Sequence, residues 1–222
     1  MKRILGIVIV SVAFLAAARA ELKVASLSTI TTDIAHNVGG DKVKVIPIIK
    51  PGIDPHEFQP SPSDVKEIET ADLVLITGKG IEGYLVKLEE AVGNKAKFVD
   101  AGSPISSLKL EEEGKMVEDP HWWHSIENMT KAINVVEKRF IEADPTNKTT
   151  YEKNAAAYTT ELKELEKWAK IEVSKLPREK RKLVTSHDAF QYFARYFGFE
   201  IYAIVGVSTD DEPSSKKITD LI

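Results

Sequence analysis

The tripeptide Asp-Pro-His occurs twice in the chain, and each copy ends in a side chain that can bind a metal ion or move a proton. The copies end at His56 and His121, two of five histidines in a chain of 222 residues without cysteine. Proline fixes its own φ angle and keeps the preceding residue extended, and an aspartate side chain accepts backbone N–H groups or orients an imidazole. Each tripeptide therefore predicts a rigid turn that holds an imidazole in place before a metal arrives.

A third histidine, His187, stands in a similar relation to a predicted strand. It follows the segment KLVTS and is expected to start the helix DAFQYFARYFG, while His56 follows the strand VKVIPIIK. Ligands of an open parallel sheet bind outside the carboxyl ends of its strands, and the loop that carries His121 could share this edge. Three imidazoles that converge there would form a site for zinc or a similar divalent ion.

The remaining histidines and the neighbouring tryptophans have simpler interpretations. His36 lies within a helical pattern, where a surface or packing role is expected. His124 could add a ligand at helical spacing from His121, but capping or packing is the preferred interpretation. Trp122 and Trp123 are expected in the core or at an interface between lobes.

The spacing of apolar residues predicts an α/β fold made of two parallel-sheet lobes, and His56 and His187, one in each lobe, would place the metal cleft between them. Short apolar strands alternate with amphipathic helices in the first half, and the pattern resumes after Pro177. Between the halves, about thirty residues lack glycine and internal proline, which predicts one long rigid helix of roughly 45 Å. The predicted boundaries are 21–144 for the N-terminal lobe, 145–177 for the linker helix and 178–222 for the C-terminal lobe.

The C-terminal lobe is predicted to be incomplete. Residues 178–222 contain two strand patterns and two helix patterns, and the second of these helices opens within DDEPSSKKITDLI. Two parallel strands rarely form a stable sheet alone, so we expect part of this lobe to be missing from the chain.

The N-terminus predicts export. Residues 1–20 combine two cationic residues, an apolar run and the sequence Ala-Arg-Ala, which is typical of a cleaved signal peptide. A membrane anchor is the alternative, but the run is shorter than the roughly 20 residues that a span needs. Cleavage removes three cations and no acid, so the formal charge falls from −4 to −7, and no basic face for nucleic acid is expected. Without a cysteine to carry a lipid, a free, monomeric periplasmic protein is expected.

Three longer stretches carry a resemblance to a known family. The stretches GIDPHEFQPSPSDVKEIETADLVLITGKGIE, EDPHWWHSIENMTKAINVV and TSHDAFQYFARYFG resemble, in this order, the metal-specific solute-binding proteins of ABC importers for zinc and manganese. The resemblance covers about Leu22 to Ile222. It implies two α/β lobes joined by one long helix, metal ligands at His56, His121 and His187, and a permease of the inner membrane as partner.

Two features depart from the family's pattern. The family's fourth ligand is a carboxylate well past the third ligand, and no residue here matches it. Zinc-specific members often carry a histidine-rich loop before the second ligand, whereas this chain has KLEEEGKMVED without a histidine. The acidic run EEEGKMVED within it is expected to be a solvated loop. Three neutral imidazoles still favour Zn²⁺ as the transported ion over Mn²⁺, which prefers oxygen ligands but is possible.

Two other classes of protein are alternatives to a binding protein. A zinc hydrolase needs an open coordination position and a general base. The candidate general base is Glu57, beside His56. The motif H-E-x-x-H is absent, and Pro60 breaks helical spacing, so no enzymatic activity is expected. An adhesin-like surface protein is a further alternative without direct support from the residues.

Overall fold

The computed structural model describes residues 21–93, 98–112 and 114–209. The predicted signal peptide, at residues 1–20, and the helix predicted within residues 210–222 lie outside these ranges. Across the described ranges, each helix is too short or too polar to cross a membrane.

A four-stranded parallel sheet forms the centre of the first lobe. Its strands are β1 (Leu22–Ser26), β2 (Val43–Pro47), β3 (Leu73–Ile76) and β4 (Phe98–Asp100), in the order β2-β1-β3-β4. Its helices are α1 (Thr29–Gly39), α2 (Pro62–Glu69) and α3 (Leu85–Val92). The continuous apolar run of β3 is buried along its whole length, as a parallel strand covered on both faces requires.

Side chains of β1 and β3 alternate between two hydrophobic clusters, one on each face of the sheet. Val24 and Leu75 belong to the cluster that contains residues of α1, α4 (Ile126–Ala143) and α5 (Lys148–Ser174). Ala25 and Val74 belong to the cluster that contains residues of α2 and α3. The sheet is therefore covered on both faces, and the carboxyl ends of its strands are the edge from which the loops of the site emerge.

Helix α2 begins with a capping motif formed by neighbouring residues. Ser61 is the N-cap, Pro62 occupies the first helical position, and the Asp64 carboxylate accepts the Ser61 N–H at 2.7 Å. The Ser61 hydroxyl in turn accepts the Asp64 N–H at 3.3 Å, which completes a reciprocal capping box. This start fixes the end of the loop that carries His56.

The acidic segment before His121 is a β-hairpin, so its prediction as a loop was wrong. Strands β5 (Lys109–Glu112) and β6 (Lys115–Glu118) pair antiparallel, and Gly114 has a φ of 79° between them. Leu110 and Val117 lie opposite each other and are half-buried. The run of charges obscured this single apolar cross-strand pair, which anchors one face of the hairpin.

The long helix α5 follows a short turn at Pro145–Asn147. Its 27 residues span roughly 40 Å, close to the predicted length. The first half packs on α1 and α4 through the buried Tyr151, Ala155 and Tyr158. Further along α5, Leu165, Trp168 and Ile171 are exposed, and Trp168 is 59% accessible.

Beyond α5, the described residues form a smaller parallel unit. Strands β7 (Lys182–Thr185) and β8 (Glu200–Ala203) pair in parallel, and α6 (Gln191–Phe197) connects them. Helix α6 ends at Gly198, whose left-handed φ of 72° suits a residue without a side chain. This unit supplies the second side of the site.

Candidate metal centre

The two Asp-Pro-His tripeptides fold into the same turn. In the loop between β2 and α2, the Asp54 carboxylate accepts the backbone N–H of His56 at 2.9 Å. After β6, the Asp119 carboxylate accepts the backbone N–H of His121, also at 2.9 Å. In each case the aspartate side chain accepts the N–H of the residue two positions later, as expected for a turn in which the intervening proline has a fixed φ angle.

The second turn also holds its imidazole. Oδ1 of Asp119 lies 2.8 Å from Nδ1 of His121, and both side chains are almost completely buried. An ionised carboxylate at this position would accept a hydrogen bond from Nδ1–H of His121 and leave the Nε2 lone pair for another partner. A carboxylate in this position fixes the orientation of an imidazole ligand.

The three predicted histidines meet at one point. Nε2 of His56 lies 3.2 Å from Nε2 of His121, and the ring centroids of His121 and His187 are 5.2 Å apart. One ligand atom from each residue lies within 4.8 Å of the others. Two imidazole nitrogens bound to one tetrahedral zinc are about 3.3 Å apart, so the wider pairs need to close by at most about 1.5 Å.

His187 approaches from the second side of the cleft. It follows β7, as predicted, but lies in a bend four residues before α6 rather than at the start of that helix. Burial lowers the pKa of its imidazole, and the neighbouring His121 lowers this pKa further. Both effects favour the neutral form, which is the form that binds a metal ion.

A cavity of about 400 Å³ contains all three imidazoles. Its remaining wall is largely apolar and includes Ile53, Ile81, Trp123 and Phe190. An apolar wall with a few convergent polar groups is typical of a small-ligand site.

His124 lines the same cavity but has a packing role. Its ring lies against Phe190 with centroids 4.6 Å apart, and burial lowers its pKa to about 4. Of the other neighbours, Trp122 is fully buried in the core, whereas Trp123 is half-buried with its ring 5.2 Å from His121. His36 is exposed on α1, which agrees with the first of its two predicted roles, surface or packing.

The loop after β3 is a part of the site that the sequence did not reveal. Glu82 is 4% exposed, and its carboxylate accepts the N–H groups of Thr77 and Gly78 at 2.6 and 3.0 Å. Burial raises the pKa of Glu82 to about 7. This loop brings Ile81 to the wall of the cavity. The sequence feature that could have indicated the loop is the glycine-rich stretch GKGIEG after a buried strand.

Glu57, the base that a hydrolase would need, is not in a position to act. Its side chain is exposed, and it is not among the described residues that line the cavity. A general base must lie within hydrogen-bond reach of the proton that it removes. Glu57 therefore does not fill the role of a general base at the cavity that the three imidazoles line.

Two solved structures share this fold. The periplasmic zinc-binding protein TroA from Treponema pallidum has a TM-score of 0.82 at 28% identity, over 90% of this chain and 72% of that chain. A manganese-bound periplasmic metal-binding protein from Candidatus Liberibacter asiaticus has a TM-score of 0.79 at 27% identity, over 90% and 73%. These similarities confirm the predicted fold class, an α/β fold of two lobes with a parallel sheet and one long helix.

Residues 24–222 match the family described as the periplasmic zinc-uptake complex component A, ZnuA, and the chain belongs to this family. The manganese-binding lipoprotein MntA of Bacillus subtilis (strain 168) is 34% identical over 204 residues, which are 91% of this chain and 66% of that protein. The chain thus spans about two thirds of the length of the curated relatives that it matches. The family comprises substrate-binding components of metal ABC transporters and not enzymes, so the non-enzymatic interpretation is confirmed and the hydrolase alternative is unsupported.

Proposed function

We propose that this protein captures a divalent metal ion through His56, His121 and His187 and delivers it to an ABC-type importer in the inner membrane. The observation that carries the proposal is the convergence of three imidazoles from three separate loops, with one ligand atom from each within 4.8 Å of the others. Family membership supports the transport role. The proposed location is the periplasm, after removal of residues 1–20.

Zinc is the proposed ion, with manganese as the competitor. Three nitrogen ligands suit zinc, whereas manganese prefers carboxylate, carbonyl and water oxygens. Relatives carry either metal in their names, including the manganese-binding lipoprotein of Bacillus subtilis and the zinc-binding TroA of Treponema pallidum. The choice of zinc is supported by the three imidazole nitrogens of this chain and not by its similarity to particular relatives.

The ligand set is tested by replacing each of the three histidines with alanine and measuring zinc affinity by competition with a chromophoric chelator. Each variant is expected to bind zinc at least about tenfold more weakly, equivalent to about 1.4 kcal/mol. His36→Ala, which removes an exposed imidazole on α1, is the matched control and is expected to bind as the wild type. A variant of the cluster that binds like the control would remove that histidine from the ligand set.

The identity of the ion needs a separate test, because most sites of this kind bind zinc more tightly than manganese in vitro. The protein is purified without added metal from cells supplied with both ions, and its metal content is measured. Zinc is expected in excess. Manganese in excess would contradict the choice of ion but leave the metal-binding role intact.

Delivery is tested in cells. Deleting the gene is expected to reduce uptake of radioactive zinc, and expression of the wild-type protein, but not of His121→Ala, is expected to restore it. Unchanged uptake after deletion would contradict the transport role.

A further inference from the structure

Tyr192 connects the second side of the cleft to the first. It lies on α6, between β7 and β8 in the chain, yet its side chain is 7% exposed and belongs to the same buried cluster as Ile105 and Trp122 of the first lobe. The helix that follows His187 is therefore anchored in the core that supports His121.

The hydroxyl of Tyr192 closes the base of the β5–β6 hairpin. It accepts the backbone N–H of Leu108 at 3.0 Å and donates to the backbone carbonyl of Asp119 at 3.3 Å. Leu108 and Asp119 flank the hairpin and are themselves joined by a backbone hydrogen bond of 2.9 Å. Tyr192 thus contacts the residue whose carboxylate holds the imidazole of His121.

The segment between His187 and Tyr192 has further contacts that limit its movement. Asp188 donates its backbone N–H to the carbonyl of Gly206 at 2.8 Å, and Phe190 stacks against His124. The segment that carries His187 is therefore short and anchored, and the turn that carries His121 is buried. The Tyr192 hydroxyl is a direct polar connection between α6, which follows His187, and the residues that flank the hairpin before His121.

We propose that Tyr192 is a positioning residue for metal binding, whose hydroxyl keeps the turn of His121 in register with the segment that carries His187. This inference rests on the proposed function of the three histidines. Its physical basis is that ligands displaced by about an ångström bind an ion much more weakly, because the site must then reorganise on binding. The aromatic ring supplies packing, whereas the hydroxyl supplies the alignment.

Tyr192→Phe separates these two contributions, because it removes the hydroxyl and keeps the ring. Tyr158→Phe is the matched control: Tyr158 is also a largely buried tyrosine whose hydroxyl donates to a first-lobe residue, the Asp33 carboxylate, but it lies on the long helix outside the cavity. Both variants are expected to lower the unfolding midpoint of the metal-free protein. Only Tyr192→Phe is expected to lower zinc affinity, by about tenfold.

A spectroscopic measurement distinguishes alignment from stability. Co²⁺ replaces zinc as a probe, and its visible absorption bands report the geometry of the ligands. Tyr192→Phe is expected to change the position or intensity of these bands, whereas Tyr158→Phe keeps the wild-type spectrum. All variants are compared at a temperature well below their own unfolding midpoints, so that only folded protein contributes.

The outcomes separate the inference from the proposed function. If His121→Ala loses zinc binding while Tyr192→Phe matches Tyr158→Phe in both affinity and spectrum, the positioning role is wrong and the ligand set stands. If His121→Ala binds zinc like the wild type, the proposed site itself is wrong, whatever Tyr192→Phe shows. A selective loss of affinity with an altered Co²⁺ spectrum in Tyr192→Phe supports the role.

Discussion

Replacement of Asp119 by asparagine tests whether the buried carboxylate behind His121 strengthens the metal site. Asp119 is fully buried, and its Oδ1 accepts both the backbone N–H and the Nδ1–H of His121, at 2.9 and 2.8 Å. An asparagine side chain has almost the same shape as an aspartate but carries no charge. The substitution therefore perturbs the electrostatics of His121 while the turn stays sterically possible.

The expected loss follows from these contacts. A hydrogen bond to a charged group contributes about 1.5–3 kcal/mol and a neutral one about 0.5–1.5 kcal/mol, so neutralisation weakens the ring contact by about 1–1.5 kcal/mol. The buried negative charge also attracts a bound dication, and the asparagine amide can turn its NH₂ group toward Nδ1, which moves the ring proton to Nε2. We expect zinc affinity to fall about 10- to 100-fold, the usual range for partners of a metal-binding histidine.

The assay is competition for zinc with a chromophoric chelator at neutral pH, with Asp54→Asn as the matched control. Asp54 makes the corresponding turn hydrogen bond to the backbone of His56, so its substitution reports the effect of weakening such a turn and removing one nearby charge. Asp119→Asn is expected to bind zinc at least about threefold more weakly than Asp54→Asn. Equal losses, or an Asp119→Asn affinity within about twofold of the wild type, would refute the role of the ring contact.

Three further predictions concern pH. Zinc affinity, measured by calorimetric titration, should fall steeply below about pH 6.5 because up to three protons compete with one ion, and the lowered pKa of His187 places its own competition at lower pH. The pKa of Glu82 is raised from 4.5 to about 7. Its contribution to stability is therefore complete below pH 4.5 and is lost, by about 3 kcal/mol, as the pH rises through 7. In urea unfolding of the metal-free protein, the stability of Glu82→Gln should increase relative to that of the wild type as the pH rises, and parallel pH profiles would contradict this. The pKa of His124, lowered from 6.5 to about 4, has the opposite effect. The free energy of unfolding falls by up to about 3 kcal/mol as the pH drops from 6.5 toward 4. Thermal unfolding of metal-free His124→Phe should therefore show a smaller loss of stability on acidification than the wild type.

The positions of the histidines were predictable because local chemistry determines them. Asp-Pro-His specifies its own turn through a fixed proline φ and an aspartate acceptor, and both copies form the turn that this chemistry predicts. Ser61, Pro62 and Asp64 likewise specify the start of α2 without help from distant residues. Signals of this kind depend on neighbours in sequence, so one sequence is enough to recognise them.

Features that depend on distant contacts were missed. The β5–β6 hairpin was obscured by its charges, since one apolar pair, Leu110 and Val117, is all that marks its inner face. The exposure of Trp168 also depends on distant contacts, because the spacing of apolar residues along α5 does not say what covers them. Tertiary packing decides both, and it overrides local pattern.

The boundary predicted at residue 178 divides the chain by the order of its elements, and this boundary remains a prediction. Packing follows a different division, because Tyr192 of α6 belongs to the first lobe's hydrophobic cluster and hydrogen-bonds to both flanks of the hairpin. Ala189, two residues after His187, is 4% exposed and lines the cavity. His187 therefore belongs to the second lobe by topology and is held near His56 and His121 by side chains that pack into the first lobe. An ion that binds all three imidazoles would connect elements that are already in contact, so we expect the packing of α6 to influence the spacing of the three histidines.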